Sequence, residues 1–164
     1  VVSPPRVQIF LWLLAHNKLM TRDNLDKRKL GKPLTCEFCS DNESIGHLLF
    51  SCVVPKNIWK DASAFFGFPV GHDYLSVARF WPASKNKCAL NSICACILWG
   101  IWKTRNAHVF KNAIWSDVKQ VWRLILSMIK KWMILFKKDY LPQIEAFVQC
   151  VSEKLKNPFQ LSMG

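Results

Sequence analysis

The chain has no run of 18 uninterrupted apolar residues: the segment 88–102 is broken by Asn91 and Ser92, and 121–136 by Arg123, Lys130 and Lys131. A membrane-spanning helix is therefore not expected. Gly-rich phosphate loops, nucleophile elbows and paired general acids and bases are also missing, so the sequence offers no catalytic motif. Internal repeats and low-complexity tracts are absent too. Acidic residues are few, 11 against 23 Lys and Arg, which leaves a formal charge of +12. That balance argues against an acidic, disordered chain and for a polyanionic partner, above all RNA or DNA. An anionic membrane surface suits the charge as well, but it ranks last.

What is present is enough for a folded core. Hydrophobic residues make up 51% of the 164 positions, room for one domain or one domain with an appendage. The apolar run 7–15 after Arg6 imitates a signal peptide, but no small-x-small cleavage site follows it, and Ser3-Pro4-Pro5 reads as a helix start. The opening Val suggests a cut end.

Cys36, Cys39, His47 and Cys52 form a C-x2-C-x7-H-x4-C series. Three thiols and one imidazole fill a tetrahedron around Zn²⁺ and leave no position for a catalytic water, so the site is expected to be structural. Bound zinc and three thiolates would lower the net charge to about +11. His72 is a substitute for His47 only if Cys52 is not a ligand. His16 and His108 are isolated from the thiols, and His16 suits a helix end. Cys88, Cys94, Cys96 and Cys150 lie in apolar helical patterns and read as core in a reducing, intracellular compartment, nucleus or cytoplasm. Cys94-Ala95-Cys96 has the wrong spacing for a C-x-x-C redox pair.

Helical periodicity dominates the rest. A mostly α fold with a small Cys3His zinc knuckle, and at most a short β-ribbon there, is expected. Residues 1–66 read as a zinc-binding domain, made of a helical hairpin, the knuckle and a helix. Within it, Thr21 caps a second helix running through Leu25 and Leu30 to Gly31, and Pro55 opens the helix that ends at Gly67. Residues 67–86 read as a linker with at most a short helix, 87–157 as a helical region packing on the first, and 158–164 as a fraying tail. One helix is expected over 116–138, capped by Ser116.

On a helical wheel of about 100° per residue, Lys119, Arg123, Lys130 and Lys137 fall within about 40° of one another. Val118, Val121, Trp122, Ile125, Ile129, Trp132 and Phe136 take the opposite side. Such a basic stripe could follow a phosphate backbone. A second cluster, Arg22, Lys27, Arg28, Lys29 and Lys32, precedes the knuckle, and Lys103 with Arg105 forms a third, flanked by Trp102 and Trp115. Trp12, Trp59, Trp99, Trp122 and Trp132 fall on apolar faces and are expected in the core. Trp102 and Trp115 are the better base-stacking candidates, although core is the default for them as well.

Several of these residues also fit a known pattern. The run Pro5-Arg6-Val7-Gln8-Ile9-Phe10-Leu11-Trp12-Leu13, then Leu19-Met20-Thr21-Arg22-Asp23-Asn24-Leu25, then the C-x2-C pair with Glu43-Ser44, His47-Leu48-Leu49-Phe50, Cys52 and Trp59, resembles the reverse-transcriptase zinc-binding domain. That domain closes the polyproteins of plant non-LTR retrotransposons. Ile97-Leu98-Trp99-Gly100-Ile101-Trp102-Lys103-Thr104-Arg105-Asn106 with Phe110 is similar to the segment that follows it. The resemblance implies a zinc-stabilised, retroelement-derived module that holds template RNA or target DNA near a polymerase. The chain has no Tyr-x-Asp-Asp polymerase motif, and Asp117, Asp139, Glu145 and Glu153 do not form a ribonuclease H set. A non-catalytic nucleic-acid-binding module is the reading. The alternative is a domesticated protein-interaction module, acting through a host partner or as a homodimer.

Overall fold

The computed structural model describes residues 1–82 and 85–157, so the tail 158–164 lies outside the described residues. The chain is built from helices, as its periodicity requires. Helix α1 (Pro5–Ala15) begins on Pro5, whose fixed φ suits a first helical turn. It buries Val7, Phe10, Leu11 and Leu14 and leaves Ile9 and Trp12 exposed. Trp12, expected in the core, is 51% exposed and stacks on His16, one turn along, while the Lys18 ammonium sits 4.9 Å from its ring. Four neighbouring residues already fill the buried face of so short a helix, and Trp12 lies outside it.

Helix α2 (Arg22–Lys27) is shorter than the expected run to Gly31. Beyond Leu25 the sequence continues Asp-Lys-Arg-Lys, which offers no apolar side chain to bury one turn on. The chain therefore leaves the helix through Lys29 at φ 56°, and Leu30 is exposed. Thr21 precedes the helix, but its hydroxyl donates to Asp23 Oδ1 and accepts from none of the free N–H groups of the first turn.

Among the described residues, strand pairing is confined to one antiparallel bridge, Thr35 with Asn42. The short β-ribbon allowed at the knuckle is thus reduced to a tight loop, closed by Cys36 N–H to Asp41 O and Glu43 N–H to Leu34 O, both 2.8 Å. A π-helical turn, His47–Ser51, follows and buries Leu48, Leu49 and Phe50. Helix α3 (Val53–Phe66) then ends at Gly67, whose φ of 79° is the left-handed conformation that glycine adopts freely. Val70, before the Asp73-capped helix α4 (Tyr74–Ala78), and Val77, within it, are buried in the same core.

Helix α5 (Cys88–Lys111) is the axis of the fold and is buried along most of its length. It packs closest against α6 (Val118–Trp132) at Gly100: a Cβ there would lie 2.5 Å from Ile125 Cγ1, so only glycine allows the approach. Helix α7 (Leu141–Lys156) covers α3 and α6, with Phe147 against Phe65 and Trp122 and with Lys154 Nζ 3.1 Å from Asp61 Oδ1.

The expected single helix over 116–138 is interrupted. Asp117, one residue later than Ser116, is the cap and accepts from Gln120 N–H, and the helix stops at Trp132. A 3-10 turn, Met133–Leu135, follows, and Phe136 turns extended to reach the core. Beyond Phe136 come Lys137, Lys138 and Asp139, so continuing the helix would bury nothing apolar. The apolar face expected of α6 is in place: Val121, Trp122, Ile125, Ile129, Trp132 and Phe136 are buried and Val118 is half-buried.

Candidate metal centre

The knuckle loop, the π-turn and the start of α3 bring Cys36, Cys39, His47 and Cys52 together, with one ligand atom from each within 4.8 Å of all the others. Cys36 Sγ lies 4.0 Å from Cys52 Sγ, and Cys39 Sγ lies 3.2 Å from His47 Nε2. A tetrahedron with Zn–S bonds of about 2.3 Å has edges of roughly 3.8 Å, so the donor set fits the ion in size as well as chemistry. Neither His16, His72 nor His108 joins it: His72 is exposed beside Asp73, His108 faces Ala113 O and Phe38, and His16 bonds Trp12 O at the end of α1. Phe38 N–H reaches Cys36 Sγ at 3.4 Å and His47 N–H reaches Ser44 Oγ at 3.1 Å, so backbone amides orient both halves of the site.

The hydrogen bond between Cys36 and Cys52, reinforced by burial, raises the Cys36 thiol above its ordinary range, while the same bond lowers Cys52. Zinc would take both sulfurs as thiolates. Burial alone pushes Cys94 and Cys96 upward in α5, which keeps both as neutral thiols, consistent with core.

One residue of the ligand loop had no role assigned from sequence. Glu43, 1% exposed, places Oε1 2.6 Å from Arg105 Nη2 and Oε2 3.1 Å from Arg105 Nε, and Oε1 also accepts from Arg22 N–H at 2.9 Å. Both side chains of the pair are fully buried. The knuckle is thereby fastened to α5. In sequence Glu43 is one of three acids between the ligands, with Glu37 and Asp41, and nothing local sets it apart, because its partner stands 62 positions away. Arg105, placed among the phosphate-contacting cations by sequence, is corrected: it is sequestered by Glu43 and lies 5.2 Å from the Trp102 ring.

The other predicted cations divide. Lys27, Arg28, Lys29 and Lys32 are exposed beside the knuckle, whereas Arg22 is largely covered and paired with Glu37. On α6, Arg123 and Lys130 are exposed and line a shallow depression with Lys131, which the stripe had omitted, while Lys119 is half-buried one turn earlier. Lys137 is exposed but lies past the helix break, so it leaves the stripe. Lys103 is exposed on α5. Trp102 and Trp115 are half-buried, and Trp115 packs on Phe38 with ring centroids 4.8 Å apart.

A closed Cys3His set held by a helical scaffold defines a structural zinc module. Residues 2–59 match the family described as zinc-binding in reverse transcriptase, a segment that contains all four ligands. A protein of Arabidopsis thaliana, provisionally named a ribonuclease H protein, is 28% identical over 120 residues. That match takes in 65% of this chain but 18% of the relative. No solved structure matches. No helix among the described residues is long and apolar enough to cross a membrane.

Proposed function

We propose that the chain is a retroelement-derived, zinc-stabilised module that binds RNA or DNA through phosphate contacts and carries no catalytic activity of its own. The observation that carries the reading is the distribution of charge. Two groups of cations, Lys27, Arg28, Lys29 and Lys32 beside the knuckle and Arg123, Lys130 and Lys131 on α6, are exposed. Cations of this kind, set on a rigid frame, hold a polyanion without reading its sequence. The relative's name, which concerns an enzyme of nucleic acid, points the same way.

The test is binding of the zinc-loaded protein to labelled RNA and DNA across a salt series. Replacing Arg123, Lys130 and Lys131 by Glu should reduce the slope of log affinity against log salt by about 3, at roughly 0.9 per lost phosphate contact. No binding at low salt would refute the reading.

A second reading, docking of a host protein or a second copy of the chain, is favoured by one observation. Ile134 and Leu135, in the turn between α6 and α7, are 88% and 47% exposed. Light scattering that finds only monomer at micromolar concentration removes its homodimer form.

A further inference from the structure

Trp99, Trp102, Lys103, Asn106, Phe110 and Lys111 of α5 line a half-open groove of about 480 Å³ against α6. Trp99, Lys103, Asn106 and Phe110 recur at helical spacing and fall within about 60° of one another, forming a stripe about 16 Å long. Two aromatic rings thus bracket a cation and an amide along one line. Phe110 is 67% exposed and Lys103 and Lys111 are exposed, so the groove opens to solvent at its rim.

We propose that this groove takes the unstacked bases of a single-stranded nucleic acid, an inference that rests on the nucleic-acid reading above and narrows it. Bases present flat apolar faces to Trp99, Trp102 and Phe110, and the phosphates joining them are drawn to Lys103 and Lys111 at the rim. Duplex bases are stacked on one another and are not available to such a surface. The side-chain oxygens of the groove are already engaged and offer little to tell one base from another. Thr104 Oγ1 donates to Gly100 O, Gln120 Oε1 accepts from Ser116, and Asn106 Oδ1 accepts from Arg105 Nη1. Stacking without readout of base edges makes the preference one for strandedness and not for sequence. The lysines at its rim favour a polyanionic strand over a neutral or basic protein segment.

Phe110→Ala is the variant of choice, because an exposed ring can be removed without disturbing the core. The 164-residue zinc-loaded chain is titrated into a fluorescein-labelled oligoadenylate and into a blunt duplex of the same length. Loss of one stacked base weakens single-strand binding about tenfold, leaves duplex binding and the salt slope unchanged, and is restored by Phe110→Trp. If the wild-type chain binds both nucleic acids and Phe110→Ala binds them equally well, the groove proposal fails while the phosphate-binding reading stands. If neither is bound at low salt, the reading itself fails and takes the groove with it.

Discussion

Arg105→Met tests the fastening of the zinc loop to α5. The variant keeps much of the side chain's apolar volume but leaves the Glu43 carboxylate fully buried with one remaining donor, Arg22 N–H. Breaking a buried ion pair by removing one partner costs about 3–5 kcal/mol, because the surviving charge stays desolvated without compensation. For a domain of this size about 1 kcal/mol shifts Tm by roughly 2–4 °C, so the expected loss is roughly 6–20 °C. Glu43→Gln should cost a similar amount, since it strands the guanidinium. The double variant Glu43→Gln/Arg105→Met removes both charges and should recover more than half of either loss. Urea unfolding followed by far-UV circular dichroism at saturating zinc gives the four free energies of the cycle. Single variants that each lose under about 1 kcal/mol, with strictly additive effects, would refute a desolvated, coupled pair.

Cys39→Ser removes one of the four ligands, and the variant should lose zinc and the ordered structure of part or all of residues 1–66; full zinc occupancy with an unchanged melting curve would contradict this. An alkaline limb is also expected. Cys94 and Cys96 are raised by burial, so their contribution to stability is complete below the unfolded thiol range near pH 8.5 and declines as pH rises towards their folded values. Each should contribute a fall of about 1.4 kcal/mol per pH unit there, and Cys94→Ala/Cys96→Ala should flatten the limb in urea titrations between pH 8 and 10.

Periodicity made α6 legible, because it owes its existence to a buried apolar face that repeats every turn, whereas α5 was legible as a long, mostly apolar run that is buried on nearly all sides. The zinc ligands were legible because metal geometry demands fixed residue types at short spacing. What periodicity does not carry is the point where a helix ceases to be worth extending. Leu30 and Lys137 both continue a helical pattern, yet neither has anything to bury against, and the chain turns at Lys29 and Phe136. Long-range pairing was likewise hidden: Arg105 reads as one more surface cation until Glu43 is seen beside it. Trp12 failed for a related reason, since an apolar side chain on a helix is buried only where a neighbouring element covers it.

The Glu43–Arg105 pair also bears on the field outside the protein. It withdraws one charge of each sign from the surface, so the formal excess of +12 stays with the other charged groups, most of which face water. Zinc with three thiolates subtracts about one unit and places it inside the knuckle, not among the exposed lysines. The surface potential is therefore nearly independent of the device that holds the fold, and the two can be perturbed separately. Arg105→Met should lower stability without lowering the salt slope of binding at temperatures where the variant stays folded. Charge reversal of Arg123, Lys130 and Lys131 should do the opposite, since none of the three takes part in an ion pair among the described residues. A variant of either kind that moved both quantities together would show that the nucleic-acid surface and the zinc-to-α5 fastening are one structure and not two.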